Sequence, residues 1–313
     1  MRKIPLMSAV IAVLGLTVVG LAGCSQPSAG ACPRPVADAS LADVVTVSDD
    51  IDAKPEIELY TPLRQKTTAS EDVVTGDGNA IETDAQVVVL DITLVSGADG
   101  EVLLSTRYDG STLPVQLEQL TVAIPGLSEG LRCAREGTRT VIALAPDGIS
   151  AETAASAGLA EGDSAVAVVD LRQVFLARAN GADVFNSGGG LPTIVRATNG
   201  RPGLVFNDSA APKDVVTQTV KRGDGAAVTG DAPVLVNYTS FGWTTQKQMQ
   251  TTWDAAPTSI TFGDEAPEFA EALKGQTVGS QVMIVVPQAD AAGGDAAVVY
   301  VIDILGVDTT TTQ

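Results

Sequence analysis

The sequence contains no histidine. That absence removes Ser-His-Asp and Cys-His catalysis and argues against zinc and iron centres, which depend heavily on imidazole. Any chemistry must come from carboxylates, hydroxyls or a mechanism that moves no proton. Basic residues are scarce too: 19 Lys and Arg stand against 38 Asp and Glu, a formal charge of −19. This balance argues against nucleic acid, whose phosphates need Lys and Arg, and against electrostatic adhesion to anionic lipid. It identifies no substrate. Aromatics make up 4% of the chain, whereas Val, Ile, Leu and Thr are plentiful, a composition that suits sheets with modest cores. No carboxylate pair has a spacing that marks a glycosidase site, and Gly188-Gly189-Gly190 lacks the strand, helix and Lys of a phosphate loop. No cofactor and no metal are expected.

Beyond its N-terminus the chain has no apolar run long enough to span a bilayer. Met1-Arg2-Lys3 is a short positive start, and Ile4 to Leu21 is uncharged and mostly apolar. The flanks and length fit a signal peptide. Leu21-Ala22-Gly23-Cys24 then resembles the bacterial lipobox, whose Cys is acylated and becomes the first residue; an ordinary signal peptide with an incidental Cys is the alternative. Two acyl chains on Cys24 suffice for stable anchoring. The expected address is the extracytoplasmic face of a cell membrane, held by lipid alone. Without residues 1–23 the balance is 17 basic to 38 acidic residues, or −21. Cys32 and Cys133 remain, an even number in an oxidising compartment, and are expected to pair; two free buried thiols are the alternative.

A chain of 313 residues predicts about two domains. Two blocks repeat one another. Gly76-Asp77-Gly78 matches Gly223-Asp224-Gly225 at an offset of 147, Pro125 matches Pro267 and Gly137 matches Gly279 at 142, and Asp170 matches Asp303 at 133. Each block reads as a Gly-Asp-Gly turn, a long apolar strand (86–95; 234–241) and a second strand (102–108; 247–252). A third short strand (115–120; 259–262) and one short helix with Pro in its first turn come next. Two apolar strands close the block. The pattern is an α+β fold, an antiparallel sheet with one helix across it. The expected boundaries are a signal peptide at 1–23, a lipidated tether at 24–54 and a first domain at 55–176. A Gly- and Pro-rich linker at 177–212, a second domain at 213–307 and a tail at 308–313 complete the chain.

The second block resembles the FK506-binding-protein class of peptidyl-prolyl isomerases. Lys221-Arg222-Gly223-Asp224-Gly225 resembles its opening turn, and Val234-Leu235-Val236-Asn237-Tyr238-Thr239 its strand ending in Tyr-Thr. Phe269 through Gly275, followed by Val278-Gly279-Ser280, resembles its helix and turn. Val282 to Pro287 and Val298 to Leu305 resemble its last two strands. The first block, about 68–176, is similar more faintly. The resemblance implies two tandem domains, each a half-barrel sheet wrapped on a short helix, and an apolar pocket that receives proline from exported polypeptides. Carried over by position, that pocket contains Tyr238, Met249, Gln250, Phe262, Ala266, Phe269, Val285 and Tyr300.

The sequence departs from the family at several of these places. Met249-Gln250 stands where active members have Phe-Asp, Phe269 where they have Trp, and Ala266 where they have a branched apolar residue. The loop that brings a Tyr to the pocket is shortened to 289–294. At comparable places the first block has Leu103, Leu104, Ile124, Leu127 and Ala167, an aliphatic interior. Phe269, Leu273, Tyr300, Leu127 and Leu131 also read simply as core. Trp243 and Trp253 flank a strand-to-strand turn and are expected to be partly exposed. The implied activity is proline isomerisation; the alternative is a binding or holding module on the same scaffold.

Overall fold

The structure, a computed structural model, describes residues 32–35, 40–186, 189–288 and 294–310. The signal peptide, Cys24, the shortened loop at 289–293 and the end of the tail lie outside the described residues. Among the described residues no helix is long and apolar enough to cross a membrane.

The chain from Leu41 is already folded. Strands β1 (Val45–Val47) and β2 (Ile57–Leu59) pair antiparallel. Leu41, Val45 and Leu63 bury against Val141, Ala143, Val166 and Val168. This corrects the expectation of a tether as far as residue 54. The segment covers a sheet built from β3 (Ala69–Val74), β4 (Val87–Ser96), β5 (Val102–Ser105), β6 (Val115–Gln116), β7 (Arg139–Leu144) and β8 (Ala165–Val174). The helices α1 (Leu117–Ala123), α2 (Gly126–Leu131) and α3 (Ala151–Ala157) are the three α-helices of the described residues. The strand order is β3-β7-β8-β4-β5, with β6 beside β4. The expected third strand over 115–120 stops after two residues. The N–H groups of Leu117 and Glu118 bond to the carbonyls of Gln86 and Asp84, and a run of good helix formers continues as α1.

The linker expectation is corrected in the same way. β9 (Ala182–Asp183) joins a sheet edge. β10 (Thr193–Arg196) and β11 (Pro202–Val205) form a hairpin whose turn uses Gly200 at φ +96°. Leu191, Ile194, Leu204 and Phe206 pack on Trp243, Met283, Val285 and Val299. They cover the second sheet, made of β12 (Val216–Arg222), β13 (Val234–Gly242), β14 (Gln248–Thr251), β15 (Thr258–Ile260), β16 (Gln281–Pro287) and β17 (Ala297–Val307). Its order is β14-β13-β17-β16-β12-β9, with β15 beside β13; apart from the added edge strand β9, this is the order of the first sheet strand for strand. Both sheets need a cover because their central strands are apolar on both faces, the signature of a doubly buried strand. Trp243, expected to be partly exposed, is therefore buried. Its ring meets Phe206 edge-on at 6.1 Å, and its Nε1 donates to the Ser209 carbonyl at 3.3 Å.

The repeated glycines have one physical cause. A Cβ at Gly76 would overlap the carbonyl of Glu136, and one at Gly223 the carbonyl of Val278. The facing residues, Gly137 and Gly279, both take φ +88°, a region open to glycine at little cost. Gly76 N–H donates to Thr138 Oγ1 and Gly223 N–H to Ser280 Oγ, each at 3.0 Å.

The helix expected in the second block is a single 3₁₀ turn, Ala270–Leu273. Proline at 267 and a left-handed Gly275 (φ +80°) bracket too short a stretch for more. Cys32 and Cys133 are each disulfide-bonded. Beside Cys32 in sequence, Arg34 donates to both Asp72 oxygens, at 2.9 and 2.5 Å, and to the Gly130 and Arg132 carbonyls.

Candidate functional site

In the second block the strands alternate their side chains between the hairpin cover and an inner face. On β16, Val282, Ile284 and Val286 turn inward beneath the 3₁₀ turn, while Met283 and Val285 turn outward under the hairpin. Val285 is thus on the wrong face for the pocket, an error of one residue in a period of two. Tyr238 of β13 and Tyr300 of β17 both belong to the inner face. Phe269, at the start of the 3₁₀ turn, comes down between them. Ring centroids lie 5.6 Å apart for Tyr238–Phe269, 6.2 Å for Tyr238–Tyr300 and 4.7 Å for Phe269–Tyr300, all with tilted planes. Such pairs contribute about 0.5–1.5 kcal/mol beyond simple burial.

These three rings line a half-open cleft of about 470 Å³. Its walls are polar: Gln250, the Thr258–Thr261 segment, Glu265 and Glu268. Both phenols are held by a wall residue. Tyr300 donates to Glu268 Oε1 at 2.8 Å, and Tyr238 donates to Gln250 Oε1 at 3.1 Å. Burial, then the Glu268 carboxylate, pushes the Tyr300 phenol well above its ordinary range.

Of the eight residues carried over from the sequence, Tyr238, Gln250, Phe269 and Tyr300 meet in the cleft. The other four do not line it. Met249 is 55% exposed at a bulge, where Ser240 pairs with Gln250 and Phe241 with Gln248. Phe262 is half-buried against the core under Lys274, whose Nζ lies 5.3 Å from the ring centroid. Ala266 is half-buried against the same core. The sequence reading missed Glu265 and Glu268. The available signal was the position of Glu268, one residue before the floor aromatic and one after a helix-entry proline. In the first block, Ile124, Leu127 and Ala167 are buried in a continuous aliphatic core, with Leu103 and Leu104 packed against it. Among the described residues no group of His, Cys, Asp or Glu is placed to hold a metal.

The solved structures to which this chain is similar include FK506-binding proteins. One is the three-domain structure of wheat FKBP73, 13% identical with a TM-score of 0.32, covering 77% of this chain and 94% of that one. A peptidyl-prolyl cis-trans isomerase from Pseudomonas syringae is 16% identical, with a TM-score of 0.29, over 34% of this chain and 74% of its own. FkpA from Escherichia coli is 23% identical, with a TM-score of 0.28, over 34% of this chain and 47% of its own. Likenesses this distant carry no site chemistry. No family model and no curated protein matches the sequence.

Proposed function

We propose that this chain is an extracytoplasmic, lipid-anchored peptidyl-prolyl isomerase built from two tandem domains, with its working cleft in the second. The observation that carries the reading is the cluster of Tyr238, Phe269 and Tyr300 at the floor of a half-open cleft. Aromatic faces are a fitting surface for the apolar pyrrolidine ring of proline. The bond to be turned resists rotation by roughly 18–20 kcal/mol because resonance stiffens it. A twisted amide loses that resonance and is less polar than either planar form. An apolar floor therefore favours the twisted state over the planar ones once a bound segment covers it, with no proton transferred and no histidine needed. The matched strand order of the two sheets supports the tandem reading, and the aliphatic interior of the first block suits a scaffold role. The clients are proline-containing segments of exported polypeptides.

Proline-isomerisation rates of small peptides, measured with the chain from Cys24 onward, test the proposal. Catalysis above the buffer rate is expected. Phe269→Ala should abolish it and cost about 3–5 kcal/mol of stability. Tyr238→Phe keeps the ring and should keep most of the rate. Buffer-level turnover by a folded chain would remove the enzymatic claim. Replacing Cys24 by Ser should release the protein from membranes if the anchor reading holds.

A second reading is favoured by one feature. Both phenolic O–H groups already donate to internal acceptors, so neither is free to donate to a twisted amide. A holding module that binds proline segments without turning them would show peptide affinity with no acceleration.

A further inference from the structure

Resting on the reading that the cleft receives a proline segment, we propose that it selects segments in which proline is flanked by Lys or Arg. The cleft has carboxylates in its wall, and among the described residues that line it there is no cation to balance them. Glu265 and Glu268 both line it, and among the described residues neither takes part in an ion pair. The nearby Lys274 is engaged elsewhere, bonded to Glu271 at 2.8 Å and lying over Phe262. Glu268 is exposed but held: the Gln288 amide lies 3.4 Å from both of its oxygens. The Tyr300 hydroxyl, 2.8 Å away, fixes one of its oxygens at the edge of the aromatic floor. A proline seated on the three rings therefore places its neighbours beside a positioned negative charge. A cationic neighbour gains a partner there, and an acidic neighbour meets like charge. The aromatic faces add a further surface that attracts cations. The charge of the whole chain acts in the same direction on approaching segments.

The test uses the chain from Cys24 onward and three labelled peptides identical except for the residues on both sides of one proline: Lys, Leu or Glu. Affinities are read by fluorescence anisotropy at low salt and at about 0.5 M salt, where surface charges are screened. The expected order is Lys, then Leu, then Glu, with about fivefold between Lys and Glu for each uncompensated carboxylate. The order should flatten at high salt. In Glu265→Gln, an exposed position, the Lys-to-Glu ratio should fall, and in Glu265→Gln with Glu268→Gln it should approach one. If the three peptides bind equally well, selectivity is refuted while the cleft reading stands. If none binds, the cleft reading falls and the selectivity falls with it. A Lys preference that survives both substitutions and high salt also overturns the proposal.

Discussion

Arg139 grips Asp170 with two bonds of 2.6 Å, and neither side chain has any exposure. The same guanidinium donates to the Ser48 and Ala53 carbonyls at 2.8 and 2.7 Å, tying the cover segment to the first sheet. In the register of the second sheet Gln281 opposes Asp303 as Arg139 opposes Asp170. There Gln281 Nε2 donates to Asp303 at 2.6 Å, and its Oε1 accepts from Arg196 of the covering hairpin. The two blocks thus use one device, a buried Asp on the last strand that fastens the cover through its neighbour on the adjacent strand.

Arg139→Met should be among the most destabilising single changes in the chain. It leaves Asp170 buried, with Arg172, at 3.3 Å, as its remaining cationic neighbour among the described residues. Breaking one side of such a pair costs about 3–5 kcal/mol. Arg139→Gln reproduces the pairing of the second block and should cost less. Urea midpoints at unchanged slope would measure both. Equal losses in the two variants would show that the charge, rather than the hydrogen-bond pattern, is what matters.

Asp303 titrates against a different background. Burial lifts its carboxyl from 3.8 to about 6, opposed by the Ala179 N–H and the Gln281 amide. The folded chain therefore holds this proton more tightly than the unfolded chain does. The resulting stability is fully present below about pH 4 and is lost as pH rises through 6, a change on the order of 3 kcal/mol. Asp303→Asn should lack this fall. Unfolding of both proteins at pH 4, 5, 6 and 7 checks it, and parallel curves would show that Asp303 ionises normally.

Much of this architecture can be read from the sequence, and the parts that cannot have specific causes. Long apolar runs such as Val87–Val95 and Val298–Leu305 mark central strands, because only strands buried on both faces tolerate them. The co-linear glycines mark backbone crossings, because Gly76 and Gly223 each meet a carbonyl that leaves no room for a Cβ. The same apolar runs imply that something covers the outer faces. Yet much of the covers, 41–54 and 191–206, looks like tether and linker. Their apolar residues are few and spaced among Pro, Gly and Asp, and their stability comes from the sheet rather than from their own pattern. Val285 enters the pocket only by the positional resemblance, and in an uninterrupted apolar strand composition does not reveal which face each residue takes. Met249 enters by the same resemblance, and a bulge that local sequence does not signal shifts the register there. Glu268 escaped notice because its role depends on Tyr300, a residue 32 positions away.

Truncation tests the cover of the second sheet. A chain of residues 213–313, cut at the expected domain boundary, loses the hairpin and uncovers Trp243, Met283, Val285 and Val299. It should unfold at lower urea and bind a hydrophobic dye. A chain of residues 177–313 keeps the hairpin, the Ala179 N–H on Asp303 and Arg196 on Gln281, and should be markedly more stable. Similar midpoints for the two would mean that the hairpin packs without stabilising.

The last test concerns the cleft itself. If Glu268 is fixed by Tyr300, the phenol should report it. Burial first and the carboxylate second disfavour the phenolate, so Tyr300 should ionise above the ordinary value of 10.0. Because the folded chain resists this ionisation, the stability it brings is intact below pH 10 and is lost as pH rises beyond it. Glu268→Gln keeps an acceptor oxygen but removes the charge. It should move the Tyr300 transition back toward the ordinary range while leaving the desolvation contribution in place. Alkaline absorbance titration, with Tyr300→Phe to identify the signal, separates the two causes. An unmoved transition in Glu268→Gln would mean that burial alone raises the phenol. Glu268 would then be a mobile rim acid, and the cleft would lack the positioned charge on which its choice of flanking residue depends.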